Sequence, residues 1–111
     1  MENKTYNCSA EVAIEIIGGK WKLMILWWLN QKTYRFAELR REIPGISEKM
    51  LIQHLKQLEA DGIVERKVFA TVPPKVEYSL TMHGKSLRQA LNAISDWGKA
   101  HIEQIGANCK N

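Results

Sequence analysis

The sequence predicts a single mostly α-helical (α+β) domain that carries a small β-hairpin. Its 111 residues are enough for one domain, at residues 1–111, and not for two. Apolar residues recur at three- and four-residue spacing along most of the chain, which is typical of amphipathic helices. The segment 63–80 alternates with a period of two in its second half, which indicates a pair of strands.

Two helices are predicted before residue 31. In the first, residues 8–17, Val12 and Ile16 repeat at helical spacing, and a pair of glycines follows the last turn. The second, residues 20–30, is apolar on almost every side, so we expect a central core helix. Its tryptophans are expected to be core residues and not a platform for stacked bases.

Residues 36–62 predict two helices joined by a tight turn. The first, at 36–42, ends before Pro44, because the residue preceding a proline is excluded from helical space. Ser47 is a suitable N-cap for a second helix that extends to Ala60. Helical spacing divides this second helix into a buried face of Leu51, Leu55 and Leu58, an exposed face of Lys49, Gln53, Lys56 and Gln57, and Ile52 on the flank.

The remaining chain predicts a hairpin and a closing helix. Strands at 63–71 and 75–80 enclose a turn, and Thr81 caps a helix at 82–105 that would be roughly 36 Å long. Such a helix overhangs a compact domain, whose radius of gyration is near 13 Å at this length. Its apolar stripe and residues 8–18 therefore predict a homodimer, with contacts from Val12, Ile16, Leu91, Ile94, Trp97 and Ile105.

Positive charge is concentrated in the middle of the chain. Sixteen Lys and Arg against twelve Asp and Glu give a net charge of +4. Residues 20–75 hold eleven bases and six acids, a net of +5, whereas the two flanks together hold five bases and six acids, a net of −1. A basic centre between nearly neutral ends indicates a polyanionic partner, although a solvated surface of mixed charge would show a similar total.

The exposed face of the helix at 48–60 matches what duplex DNA demands of a protein. Lys pairs with guanine O6 and N7, Gln pairs with adenine, and both reach phosphates. An amphipathic surface helix also presents Lys and Gln to water, so this face alone leaves both interpretations open. With the hairpin and the charge pattern it predicts a winged helix-turn-helix, in which further phosphate contacts come from Arg40, Arg41, Arg66, Lys67 and Lys75.

These motifs resemble the HxlR-type winged helix-turn-helix regulators, which are relatives of the MarR-like repressors. The resemblance spans nearly the whole chain and is carried by Cys8, Ile17-Gly18-Gly19-Lys20-Trp21, Arg35-Phe36, Leu39, Ile43-Pro44-Gly45-Ile46-Ser47, Lys49-Met50-Leu51, Leu55, Leu58-Glu59, Asp61-Gly62, Arg66, Val72 to Thr81, Gly84 and Trp97-Gly98.

The resemblance implies a homodimeric cytoplasmic transcription factor that binds a near-palindromic operator. Carried over to this chain, Ser47, Lys49 and Gln53 would lie in the recognition helix, and Pro73-Pro74-Lys75 would form the wing tip. The family often has Thr and Gln where this chain has Ile52 and His54. Ile52 is therefore expected to alter the bases read, by contact with a thymine methyl group.

The resemblance also gives Cys8 the place of an oxidant- or electrophile-sensing cysteine. A thiol near a helix N-terminus experiences the positive end of the helix dipole, which favours the thiolate. The alternative is a small buried apolar residue. Cys109 lies in a polar tail, and a disulfide between Cys8 and Cys109 of two subunits is a further hypothesis.

Other function classes lack the residues they need. Gly18-Gly19-Lys20 has no preceding glycine and is followed by Trp21, so it is not a phosphate-binding loop. The histidines have no zinc-ligand spacing, and no nucleophile–base motif occurs, so we expect no metal, no cofactor and no enzymatic activity. The chain has no apolar run of the roughly 20 residues that a membrane span needs and no export signal at its start.

The sequence therefore predicts a regulator that binds duplex DNA as a homodimer, represses transcription and responds to an inducer through Cys8. Two alternatives remain open: a regulator that binds a small apolar ligand between its dimerisation helices, and a winged helix that binds only proteins.

Overall fold

The computed structural model describes residues 5–109 as six helices and three strands. Their bounds are α1 Ser9–Ile17, α2 Lys20–Gln31, β1 Tyr34–Arg35, α3 Phe36–Glu42, α4 Glu48–Ala60, β2 Val64–Phe69, β3 Lys75–Leu80, α5 Met82–Lys85 and α6 Arg88–Ile105. The predicted helices α1 to α4 are confirmed to within a residue or two at each end. The polypeptide is not spherical, since its radius of gyration is 15.5 Å against about 13 Å for a compact chain of this length.

The core surrounds the middle of α2. Ile25 and Leu26 are fully buried there and pack in one cluster with the buried leucines of α3 and α4. The tryptophans of α2 are only half-buried and pack against the edge of this cluster. The prediction of a central helix is correct for one side of α2, while its other side remains partly open to solvent.

The sheet has one strand more than the sequence predicted. The expected hairpin of β2 and β3 is present, and β1 adds to the free edge of β3 in the antiparallel order β1-β3-β2. Strand β1 contains only Tyr34 and Arg35, which pair with Tyr78 and Glu77. Two residues are too short to show an alternating pattern, which explains why the sequence did not reveal this strand.

The long C-terminal helix is present, but it does not run unbroken over 82–105. The chain tightens at Ser86 and Leu87, whose backbone N–H groups donate to His83 and Gly84, three residues earlier. Helix α6 therefore begins at Arg88 and has 18 residues, which corresponds to about 27 Å and not the expected 36 Å. Within the described chain Leu91 is the one buried residue of α6, so most of the helix surface remains uncovered.

Helix α5 packs closely against the chain between α4 and β2 because Gly84 lacks a side chain. A Cβ atom at Gly84 would lie 2.1 Å from the carbonyl oxygen of Ile63. The Thr81 hydroxyl strengthens this contact by donating to the carbonyl of Gly62 at 2.6 Å. The wing and the C-terminal helices are thus fixed to the end of α4.

We predict that Gly84→Ala lowers the free energy of unfolding by about 2–3 kcal/mol, because the backbone must shift to relieve the clash. Gly98→Ala is the matched control, since a Cβ there meets nothing within 4 Å and α6 gains a better helix former. Urea denaturation followed by circular dichroism at one protein concentration measures both. A Gly84→Ala protein as stable as Gly98→Ala would show that the close contact is unimportant.

Candidate nucleic-acid interface

Helix α3 is fixed at its start by a hydrogen bond from the preceding residue. The Arg35 backbone N–H donates to Glu38 Oε1 at 2.9 Å, and this bond holds the pKa of the Glu38 carboxyl below its usual value. The carboxylate thus remains charged at neutral pH and next to the positive end of the α3 dipole. Arg40 and Arg41 follow in the last turn, where the dipole favours cations.

The turn between α3 and α4 sets the angle of the second helix. Gly45 has φ +89, a left-handed conformation that favours glycine. The Arg40 side chain reaches over the turn, and its Nε donates to the carbonyl of Ile46 at 3.4 Å. The Met50 backbone N–H donates to Ser47 Oγ at 3.0 Å, which confirms Ser47 as the N-cap of α4.

Helix α4 has the dry and wet faces that its spacing predicted. Leu51, Leu55 and Leu58 are buried against the core. The opposite face is exposed and carries no acidic group among its long polar donors, which are Lys49, Gln53, Lys56 and Gln57. Ile52 lies beside this face and is 39% exposed. The arrangement can insert into a major groove without uncovering the core.

The register of the wing separates residues that the sequence analysis had grouped. Arg66 lies opposite Tyr78 on the face of the hairpin that looks toward α4, and it lines a cavity together with Ile52 and Lys56. Lys75 lies opposite Phe69, and alternation places this pair on the other face. Pro74 is exposed in the turn between the strands. Arg66 therefore extends the α4 surface, whereas Lys75 belongs to the outer wing.

Two acidic residues that the sequence analysis did not assign to the site lie on this surface. Glu48 and Glu59 line the same cavity as Lys56 and Arg66, which has a volume of about 520 Å³. Glu48 also lies beside Arg40 and Arg41 on the other side of α3. The spacing of Glu48, Ile52 and Lys56, four residues apart each time, is the signal that would have found this edge. Carboxylates here accept hydrogen bonds from base amino groups and repel misplaced phosphates.

Both cysteines are exposed. Cys8 is the N-cap residue of α1, and its carbonyl accepts a hydrogen bond from the Glu11 backbone N–H at 3.1 Å. In the protomer Cys8 is thus not a buried apolar residue. Cys109 lies at the rim of a cavity of about 380 Å³ that Trp27, Trp28 and the last turns of α6 line.

The residues predicted for dimerisation fall into two groups. Trp97 is 69% exposed, Ile105 61%, Ile94 46% and Val12 37%, so these side chains are open to a partner. Ile16 is half-buried, and Leu91 is 2% exposed and packs in its own core. The Trp97 and His101 rings stack at a centroid distance of 4.9 Å, which lengthens the exposed apolar stripe of α6.

An apolar cavity of about 580 Å³ lies between α2, the end of α3 and α6. Leu23, Trp27, Trp28 and Ile94 form its walls, and Arg41 stands at its edge. Over residues 5–109 no group of three His, Cys, Asp or Glu side chains is placed to hold a metal ion. Among the same residues, no helix combines the length and apolar character needed to cross a membrane.

A helix-turn-helix with a basic exposed face on its second helix, flanked by a β-wing, defines the winged helix-turn-helix class of transcriptional regulators. The chain belongs to the HxlR-like helix-turn-helix family, whose model matches residues 16–106. This is a family of DNA-binding transcriptional regulators and not of enzymes, and the predicted resemblance is confirmed.

Similar proteins agree with this assignment. The HTH-type transcriptional regulator YtcD of Bacillus subtilis (strain 168) is 49% identical over 105 residues, which are 95% of this chain and 83% of YtcD. The redox regulator HypR in its reduced form has a TM-score of 0.83 and 40% identity, over 89% of this chain and 98% of HypR. Diamide-treated YodB of B. subtilis has a TM-score of 0.71 and 37% identity, over 84% and 93% of the two chains.

Proposed function

We propose that the protein is a homodimeric cytoplasmic repressor that binds a specific duplex-DNA operator and releases it when Cys8 reacts with an oxidant or electrophile. The observation that carries the DNA-binding part is the exposed face of α4. Lys49, Gln53 and Lys56 project from a helix whose opposite side is anchored by fully buried leucines. Arg40, Arg41 and Arg66 surround this face with further cations.

The homodimer is supported by the exposed apolar side chains of α1 and α6. An exposed patch that contains a tryptophan and three aliphatic residues is uncommon on a monomer and indicates a protein partner. A second copy is the partner whose twofold symmetry would place two α4 helices about one DNA turn, roughly 34 Å, apart. The operator is then expected to be a near-palindrome.

Fluorescence anisotropy with DNA from upstream of the protein's own gene, against scrambled DNA over a salt series, tests this proposal. Specific binding typically exceeds non-specific binding by about 10³ or more, and both weaken steeply with salt. Equal and weak binding of both DNAs would favour a winged helix that serves a protein partner.

A redox role for Cys8 is supported by its exposure and by the similarity to HypR and YodB, two of whose structures are described as oxidised and diamide-treated. A peroxide would oxidise Cys8 and Cys109 of the partner subunit to a disulfide and would itself be reduced to water or an alcohol. The exposed Cys109 beside the α2–α6 cavity is the resolving thiol in this proposal.

We predict that Cys8→Ser abolishes the loss of DNA binding on treatment with diamide, whereas the untreated variant binds the operator as the wild type does. Cys109→Ser is the companion variant, which keeps the sensing thiol and removes the intersubunit bond. Anisotropy and non-reducing gel electrophoresis report the two effects separately. A Cys8→Ser protein that still releases DNA with diamide would remove Cys8 from the mechanism.

The apolar cavity of about 580 Å³ favours one second candidate, a regulator that answers to a small apolar ligand. Its volume lies within the usual range for ligand sites, and it connects the end of α3 with α6. In this alternative the cysteines are incidental, so Cys8→Ser leaves the inducer response unchanged.

A further inference from the structure

The Phe69 ring lies between two lysine ammonium groups at the end of the wing. Lys75 Nζ is 4.5 Å from the ring centroid, and Lys67 Nζ is 5.2 Å from it. Both distances fall within the range of about 6 Å over which a cation is attracted to an aromatic face. One half-buried ring thus holds two positive charges that would otherwise repel each other and move freely in water.

The strand register explains how this cluster forms. Phe69 pairs with Lys75 across the hairpin, and Lys67 is two residues before Phe69 on the same strand. All three side chains therefore share one face of the hairpin. Glu77 pairs with Lys67 on that face, and its carboxylate lies 3.5 Å from Lys75 Nζ. The opposite face, with Arg66, looks toward α4.

We propose that Phe69 is a positioning residue that holds Lys67 and Lys75 as a fixed pair of phosphate contacts on the outer wing. The proposal rests on the proposed DNA-binding function. An ammonium group has three N–H donors, and the ring covers only one side of it, so the others remain open to a phosphate. A lysine that is already held in place loses less side-chain freedom when it binds. The DNA phosphate replaces Glu77 as the anionic neighbour of Lys75.

Phosphate contacts carry no base information, so the ring is expected to strengthen binding to every sequence equally. Phe69→Leu removes the ring and retains all charges and an apolar side chain. We expect it to weaken binding to the upstream DNA and to scrambled DNA alike, by about fivefold. The dependence of log Kd on log salt should remain that of the wild type, because the two lysines still meet the phosphates.

A double-mutant cycle in fluorescence anisotropy separates positioning from a structural role. In a Lys67→Ala/Lys75→Ala background, Phe69→Leu should change the Kd for scrambled DNA by less than twofold, since the ring then has no cation to hold. Phe69→Tyr, which keeps the ring face, should restore wild-type affinity. Thermal unfolding of each variant verifies that the hairpin is retained.

A fivefold loss that persists in the background without the two lysines would overturn the proposal, because Phe69 would then act on DNA or on the hairpin directly. Equal affinity of Phe69→Leu and the wild type would also overturn it. A wild-type chain that shows no salt-dependent binding to either DNA would instead refute the proposed function, and the DNA role of the wing with it.

Discussion

Leu51→Ala is expected to lower the free energy of unfolding by about 3 kcal/mol, which is a large part of the stability of a small domain. Leu51 is fully buried and anchors α4 to the core, so its truncation leaves a cavity that the surrounding helices fill only in part. Urea denaturation at a fixed protein concentration measures the change, because dimerisation makes the apparent stability depend on concentration.

Ile52→Ala provides the matched comparison for Leu51→Ala. It deletes a side chain of similar size from the neighbouring residue of α4, which is 39% exposed. We expect a loss of about 1 kcal/mol or less, because much of this side chain already meets water. Losses of equal size at the two positions would mean that the division of α4 into a dry and a wet face is wrong.

Gln53→Ala is expected to weaken binding to the operator by about 10- to 100-fold, since one bidentate base contact contributes about 1–3 kcal/mol of discrimination. Binding to scrambled DNA should change by less than twofold. Lys75→Ala should instead weaken both DNAs by the same factor and lower the slope of log K against log salt by about 0.9 in magnitude. Anisotropy titrations at several salt concentrations give all of these quantities.

Gln89→Ala is the control for this pair, because it makes the same change at an exposed position of α6, away from α4 and the wing. It should leave both affinities unchanged. Equal losses on operator and scrambled DNA for Gln53→Ala would show that Gln53 contacts phosphate and does not read a base.

Much of the fold followed from local patterns. The helical spacing of Leu51, Leu55 and Leu58 predicted which side of α4 is buried, and Ser47 predicted where the helix begins. These features depend on neighbours within a few residues, so the sequence contains them directly. The same logic identified the hairpin, since Val76, Tyr78 and Leu80 alternate with polar residues.

The errors arose where distant residues decide the outcome. The continuous helix expected at 82–105 divides at Ser86 and Leu87, and Gly84 packs against the Ile63 carbonyl, a contact with a residue 21 positions earlier. Strand β1 exists because β3 offers it a free edge. No periodicity within either segment records these contacts.

The sequence by itself determined the helix-turn-helix, its buried leucines and the polar face of α4, because each depends on spacing along one helix. Only the tertiary structure decided which basic residues act together. Cross-strand register places Arg66 beside α4 and gathers Lys67 and Lys75 around Phe69 on the opposite face. Register depends on pairing between strands, and a shift of one residue would exchange the two faces, so this grouping becomes visible only when the strands meet.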